Sequence, residues 1–128
     1  MSDGQSTATT AGDPRRVAAL AISELFLDTE LDERDFARLR DALRGSRLSI
    51  RDLDEIYYDQ VAPILHRNLN SPAGEWSGFD PDWLEREIRR QASRRPGLGP
   101  LARLRRYLAT RSTIDDWRRL RAMVDASR

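Results

Sequence analysis

Three residues whose side chains can transfer protons lie within a short stretch of the sequence: His66, Glu75 and Asp80. His66 is the single histidine of the chain, and Glu75 precedes Trp76 in the stretch AGEWSGF. A carboxylate held against an indole in a partly dry pocket has a raised pKa, because burial disfavours its charged form, and it can then donate a proton. One hypothesis is therefore an enzyme that uses these three side chains.

Other signatures of catalysis do not accompany these residues. The chain has no cysteine, no Gly-x-Ser-x-Gly turn, and no HExxH or paired-histidine spacing, so neither an activated nucleophile nor a metal site is indicated. A lone histidine near a helix end most often contacts the terminal carbonyl groups. We therefore favour a structural role for His66, and the sequence predicts no metal and no cofactor.

The glycines and aromatic residues of the same stretch favour an architectural interpretation. Gly74 and Gly78 permit backbone angles that other residues resist, and Trp76 and Phe79 are rings that can fill a gap beside a bent helix. Pro63 predicts that bend, because proline has no N–H group. The sequence thus predicts a structural loop that comprises Pro63, Gly74, Glu75, Trp76, Gly78, Phe79, Asp80 and Trp83.

Acidic residues are concentrated between positions 24 and 35. Those at positions 28, 30 and 32 have the first three ligand spacings of an EF-hand loop, but Glu33 and Leu39 occupy the positions that require glycine and a bidentate glutamate. Calcium binding is therefore not favoured over helix capping and a solvated face. The remaining functional interpretation is a docking face for a basic partner, formed by Glu24, Asp28, Glu30 and Asp32.

All 22 basic residues are arginine, and they are unevenly distributed. Residues 1–80 contain nine Arg and fifteen acidic residues, a formal charge of −6, whereas residues 81–128 contain thirteen Arg and six acidic residues, a charge of +7. Glu85 and Glu87 dilute the positive field, and no DNA-binding motif accompanies it, so solvated faces partly paired with the acidic part are favoured. The alternative is a phosphate-binding track formed by Arg86, Arg89, Arg90 and Arg94.

Length and composition indicate one domain. A chain of 128 residues can bury a single core, and residues 1–12 contain almost nothing to bury, so we expect a disordered tail followed by a helical domain over residues 13–128. Absence of cysteine suits a reducing cytoplasm. Neither an apolar run of about 18 residues nor a signal-peptide pattern occurs, so we expect a cytoplasmic protein with no membrane segment.

Apolar residues recur at helical spacing, and no segment alternates as a strand does. Start and stop signals predict helices over about 14–27, 32–45, 49–67, 81–94, 100–111 and from 113 onward, with a kink or break near residues 59–63. Asp32 and Ser49 are predicted to cap the second and third of these helices. The predicted class is all-α, a single compact bundle of five or six helices with a kinked third helix.

Three local details are specific enough to be checked. Gly45 is predicted to end the second helix in the left-handed conformation, and Ser112 or Thr113 is predicted to cap the sixth. In the fifth helix, helical spacing groups the large apolar residues on one face, formed by Leu101, Leu104, Tyr107 and Leu108.

Three segments of the chain resemble a family of small uncharacterised bacterial proteins: SELFLDTELDERD from Ser23, VAPILHRNL from Val61 and AGEWSGFDPDWL from Ala73. The resemblance covers about residues 17–84 and is most specific in the third segment. It implies a compact helical domain and carries over no catalytic residue. The Arg-rich helical part, residues 94–128, lies outside it.

These observations favour a non-enzymatic protein-interaction module, with no partner identity or oligomeric state indicated. Its concrete version is an immunity-type or accessory protein whose acidic face masks a basic or nucleic-acid-binding partner. The alternative hypothesis is a nucleic-acid-binding protein that acts through its Arg-rich C-terminal helices.

Overall fold

Six helices and no strand make up the part of the chain that the computed structural model describes, which is residues 13–27, 30–69, 81–92 and 99–127. The helices are α1 (Pro14–Leu27), α2 (Glu33–Ser46), α3 (residues 50–69), α4 (Pro81–Ala92), α5 (Pro100–Thr110) and α6 (Ile114–Ala126). The predicted all-α class and helix number are confirmed. The predicted tail, residues 1–12, lies outside the described residues.

The third helix is irregular where proline predicts irregularity. Its first segment, Ile50–Glu55, and its last segment, Ala62–Leu69, are α-helical, whereas Ile56–Val61 between them is π-helical. Pro63 has no N–H group to donate to the carbonyl of Asp59, and a wider turn before it accommodates the missing α-helical bond. The predicted interruption is therefore confirmed, in the form of a widened turn.

Capping residues begin two of the helices as the sequence predicts. The Asp32 side chain accepts from the backbone N–H of Asp35 at 2.9 Å, and the Asp35 side chain accepts from the backbone N–H of Asp32 at 3.1 Å. The hydroxyl of Ser49 accepts from the N–H of Asp52 at 3.1 Å. These bonds satisfy N–H groups that have no partner within the first turn of a helix.

The end of α2 differs from the prediction. Gly45 lies inside the helix, and the left-handed residue is Arg47, with φ of 61°. The helix continues because Ser46 is buried and its hydroxyl donates to the carbonyl of Leu43 at 2.5 Å, while Leu48 beyond the turn packs against the core. Packing beyond the helix thus selects the stop position over the local preference of glycine.

An aromatic cluster lies at the centre of the core. The rings of Tyr57 and Trp117 stack with centroids 4.9 Å apart, and Tyr58 and Phe26 contact Tyr57 at 4.8 and 5.8 Å. Helix α1 packs on α2 and on the middle of α3, and α2 packs on α6. The fully buried side chains that surround the cluster include Ile22, Phe36, Leu39, Leu43, Leu53, Ile56, Leu84 and Leu120.

The start of α6 also differs in detail. Thr113 occupies the N-cap position, but its side chain makes no capping bond. Its hydroxyl lies 2.7 Å from the hydroxyl of Tyr57 and 3.4 Å from the carbonyl of Thr110, which it donates to. A buried phenol needs a hydrogen-bond partner, so the Thr113 hydroxyl bonds to Tyr57 instead of capping the helix.

Candidate interaction surface

Most of the predicted structural loop lies outside the described part of the chain, namely Gly74, Glu75, Trp76, Gly78, Phe79 and Asp80. Pro63 is partly buried in the last segment of α3, and Trp83 of α4 is partly buried against the core. His66 is partly buried in the same segment as Pro63. The mutual geometry of His66, Glu75 and Asp80 therefore stays a sequence-based hypothesis.

Glu24 and Asp32 of the predicted acidic docking face have partners within the protein. Both oxygens of Glu24 accept from Arg38, at 2.9 and 3.0 Å, and Asp32 caps α2. Arg38 also donates to Asp35, whose pKa is lowered chiefly by the backbone N–H of Asp32 and further by Arg38. Glu30 is exposed, and Asp28 lies outside the described residues. Much of the local negative charge thus stabilises α1 and α2.

Three of the four predicted phosphate-binding arginines lie on α4, and Arg89 and Arg90 among them have acidic partners one turn away. Arg89 lies 3.5 Å from Glu85, and Arg90 lies 3.5 Å from Glu87. Arg86 is exposed, and Arg94 lies outside the described residues. Both arginines are exposed, so these pairs contribute little stability, but they reduce the positive field that a phosphate would meet.

Opposite charges of the two parts of the chain meet at α3. Arg121 of α6 donates to both oxygens of Asp54, at 2.9 and 3.1 Å, and the indole N–H of Trp117 donates to the same carboxylate at 3.0 Å. Arg106 of α5 lies 3.8 Å from Asp59. Part of the charge asymmetry therefore positions the C-terminal helices on α3.

A cavity of about 230 Å³ lies between α1, α3 and α4. Arg16, whose side chain is 19% exposed, borders it and donates to Glu85 at 2.7 Å and to Asp82 at 3.1 Å. Ligand sites are usually larger, from about 300 Å³ upward. Because Arg16 is neutralised by two carboxylates of α4, the cavity is better explained as a gap beside an ion pair than as an anion site.

The apolar face predicted for α5 is largely directed outward. Three large side chains on it are exposed: Leu101 by 61%, Leu104 by 51% and Tyr107 by 61%. Leu108 is partly buried. We call the surface formed by Leu101, Leu104 and Tyr107, with Arg103 and Arg105 beside them, the outer face of α5.

Small residues on the opposite side of α5 explain this orientation. Ala109 and Thr110 are each 5% exposed, and the helix packs on the segment Ala62–Leu69 of α3. Arg106 lies with its guanidinium carbon 4.5 Å from the centre of the Tyr58 ring, close to Asp59. Small side chains allow close approach of two helices, so the large apolar residues remain on the far side. In the sequence, the alanines of α5 were the signal that could have predicted which side of this helix is buried.

Arginines border the exposed apolar residues on both sides. Successive residues of an α-helix are about 100° apart around the axis, so Arg103 and Arg105 lie on opposite sides of Leu104. Both are exposed, and α5 contains no acidic residue. The outer face of α5 is therefore an apolar stripe with positive edges.

In residues 13–27, 30–69, 81–92 and 99–127, no group of three or more histidine or acidic side chains is placed to hold a metal ion. No helix in those ranges is long and apolar enough to span a membrane.

Comparison with known proteins places the chain in a family. The family model described as a domain of unknown function (DUF7079) matches residues 13–123, which include all six described helices except the last three residues of α6. Neither a curated protein nor a solved structure matches the chain. Since the match extends over most of the sequence, this protein belongs to the DUF7079 family of domains of unknown function.

Proposed function

We propose that this protein is a non-enzymatic protein-interaction module, of the immunity or accessory type, that binds its partner through the outer face of α5. The observation that carries the proposal is the exposure of Leu101, Leu104 and Tyr107 side by side on one helix. The absence of cysteine suits a cytoplasmic protein, and the family resemblance suggests a bacterial one.

Exposure of this kind has a free-energy cost that binding can recover. Burying apolar surface is favourable by about 25 cal/mol per Å², and contiguous exposed apolar patches on a folded protein mark interaction sites. The same helix buries small residues and leaves its large ones in water, although the core elsewhere takes Leu, Ile, Tyr and Trp. A binding partner supplies the reason for that arrangement.

The other surfaces support the proposal less well. Glu24 and Asp32 of the acidic face have partners inside the protein, as do Arg89 and Arg90 of the basic face. The outer face of α5 combines accessible apolar area with charge, which is the composition of a protein-binding surface.

A comparison of surface variants tests the proposal. The test protein carries serine at Leu101, Leu104 and Tyr107, and the matched control carries serine at three exposed positions of α6, Arg118, Ala122 and Ala126. Each is used to recover partners from a lysate of the source organism, and a recovered protein is then purified and titrated directly. We expect it to bind the wild type and the control equally and the test protein at least about tenfold more weakly.

Two results would overturn the proposal. One is equal binding of the purified partner to the test protein and the wild type. The other is a fall of several degrees in the melting temperature of the test protein alone, because that would show that the three side chains are packed rather than exposed.

Nucleic-acid binding through the Arg-rich helices is the alternative function. It predicts a mobility shift of DNA or RNA at low ionic strength that disappears as salt rises, because each neutralised phosphate releases counterions. A shift abolished by changing Arg86, Arg89 and Arg90 to Ser would favour this alternative over the interaction module.

A further inference from the structure

We infer that the partner presents an acidic amphipathic helix that lies along the outer face of α5. This inference rests on the proposed function and specifies the chemistry of the partner. It is carried by the spacing of the exposed apolar side chains and by the charge on either side of them.

The spacing on α5 is that of a helix-packing stripe. Leu101, Leu104 and Tyr107 follow one another at intervals of three residues, so they form one ridge along nearly two turns. At a rise of 1.5 Å per residue this ridge is about 9 Å long. A second helix with apolar residues every three or four positions presents a matching groove.

The edges of the stripe determine the charge of the partner. Among the described residues, Arg103 and Arg105 form no ion pair, whereas the neighbouring Arg106 contacts Tyr58 and Asp59. With no acidic residue in α5, both edges are positive. Residues that flank the apolar seam of a helix pair set partner choice by charge. Glu or Asp on both flanks of the incoming helix therefore gives the complementary arrangement.

Other occupants fit these features less well. A second copy docked by the same face would bring Arg103 and Arg105 of each copy together, which like-charge repulsion disfavours. A nucleic acid would gain nothing from the apolar centre of the stripe. A lipid surface is bound by helices with a longer apolar face than three side chains on two turns.

Titration of the full-length protein with two designed peptides tests the inference. Both peptides are helices of about 18 residues in which Leu recurs at alternating intervals of three and four residues. They differ only at the positions beside the Leu stripe, which are Glu in one peptide and Lys in the other. We expect the Glu peptide to bind at least about tenfold more tightly than the Lys peptide, and its affinity to fall as salt rises. Changing both Arg103 and Arg105 to Glu should reverse the preference.

The inference is overturned if the protein does not bind the Glu peptide, or if the double Arg→Glu variant binds it as the wild type does. If a recovered partner needs Leu101, Leu104 and Tyr107 for binding but the Glu peptide does not bind, only the inference of an acidic helix is wrong. If the partner binds the variant with serine at all three positions (the triple serine variant) as it binds the wild type, the proposed function itself is wrong.

Three further measurements assign the stripe to another occupant, and each positive result overturns the inference. The first is sedimentation of the protein with phosphatidylglycerol vesicles, the second is self-association measured by analytical ultracentrifugation, and the third is binding of the Lys peptide that equals or exceeds binding of the Glu peptide. In each, the triple serine variant must abolish the effect for the stripe to be responsible.

Discussion

The side-chain amide of Gln91 donates a hydrogen bond of 2.7 Å to the backbone carbonyl of Asp59. In a regular α-helix the N–H of residue 63 would donate to that carbonyl, but residue 63 is proline and has no N–H group. The bond joins α4 to the π-helical segment of α3, so a side chain 32 residues later in the chain supplies a donor at the irregular turn. The carbonyl that loses its α-helical donor to proline thus forms a contact between α3 and α4.

Removal of that amide donor is expected to weaken the attachment of α4. Gln91→Met keeps the length of the side chain and loses the donor, so it should lower the free energy of unfolding by about 1 kcal/mol. Gln91→Glu should lower it further, because a carboxylate would face the Asp59 carbonyl. Urea denaturation measures both, with the exposed neighbour Arg90→Met as the control. A Gln91→Met protein as stable as the wild type would show that this bond contributes nothing.

Alkaline pH is expected to destabilise the protein through Tyr57. Burial disfavours the phenolate and raises the pKa of Tyr57 to about 12, although the hydrogen bond with Thr113 opposes the shift. The pKa of tyrosine in an unfolded chain is about 10. The contribution to stability is therefore complete below pH 10 and is lost as pH rises to about 12, by at most about 1.4 kcal/mol per pH unit.

Two variants isolate this effect in urea titrations between pH 8 and 12. Tyr57→Phe should show a shallower fall in stability with pH than the wild type, although it starts lower by about 1 kcal/mol because the bond with Thr113 is lost. Tyr107→Phe, at an exposed position, should follow the wild-type slope. Identical slopes for the wild type and Tyr57→Phe would contradict the assignment.

The carboxylate of Asp54 is expected to contribute more stability than its arginine partner. Asp54→Ala leaves the N–H of the fully buried Trp117 without its acceptor, which should lower the free energy of unfolding by about 2–3 kcal/mol. Asp54→Asn keeps an acceptor and should have a smaller effect. Arg121→Ala should lower it by less than about 1 kcal/mol, because that side chain is 42% exposed. Thermal denaturation that ranks Arg121→Ala as the most harmful of the three would refute this account.

The end of α2 offers two stabilising substitutions. Gly45→Ala should raise stability by about 1 kcal/mol, because the residue is helical and, apart from its chain neighbours and the backbone of its own helix, no atom lies within 4 Å of an added Cβ. Arg47→Gly should also raise it by about 1 kcal/mol, because a left-handed conformation is strained for a residue with a Cβ atom. Calorimetry of each variant and of the pair, compared with Arg44→Gly inside the helix as a destabilising control, measures these gains. A loss of stability in Arg47→Gly would contradict the role of the turn.

Local chemistry in the sequence was sufficient to predict the helices. The structure confirms α1 at Pro14–Leu27, the capping residues Asp32 and Ser49, and the irregularity before Pro63. Each depends on a side chain or a missing N–H within one turn of the backbone group that it affects. Such effects act between neighbours in the chain, so the order of residues alone reveals them.

Relationships between distant residues were decided only by the tertiary structure. Spacing grouped Leu101, Leu104 and Tyr107 on one face of α5, but packing of Ala109 and Thr110 on α3 turned that face outward. The same holds for the bond between Thr113 and Tyr57, 56 residues apart. Helical periodicity shows which residues share a face, and only the shapes and charges of the helices that pack together determine which face is buried.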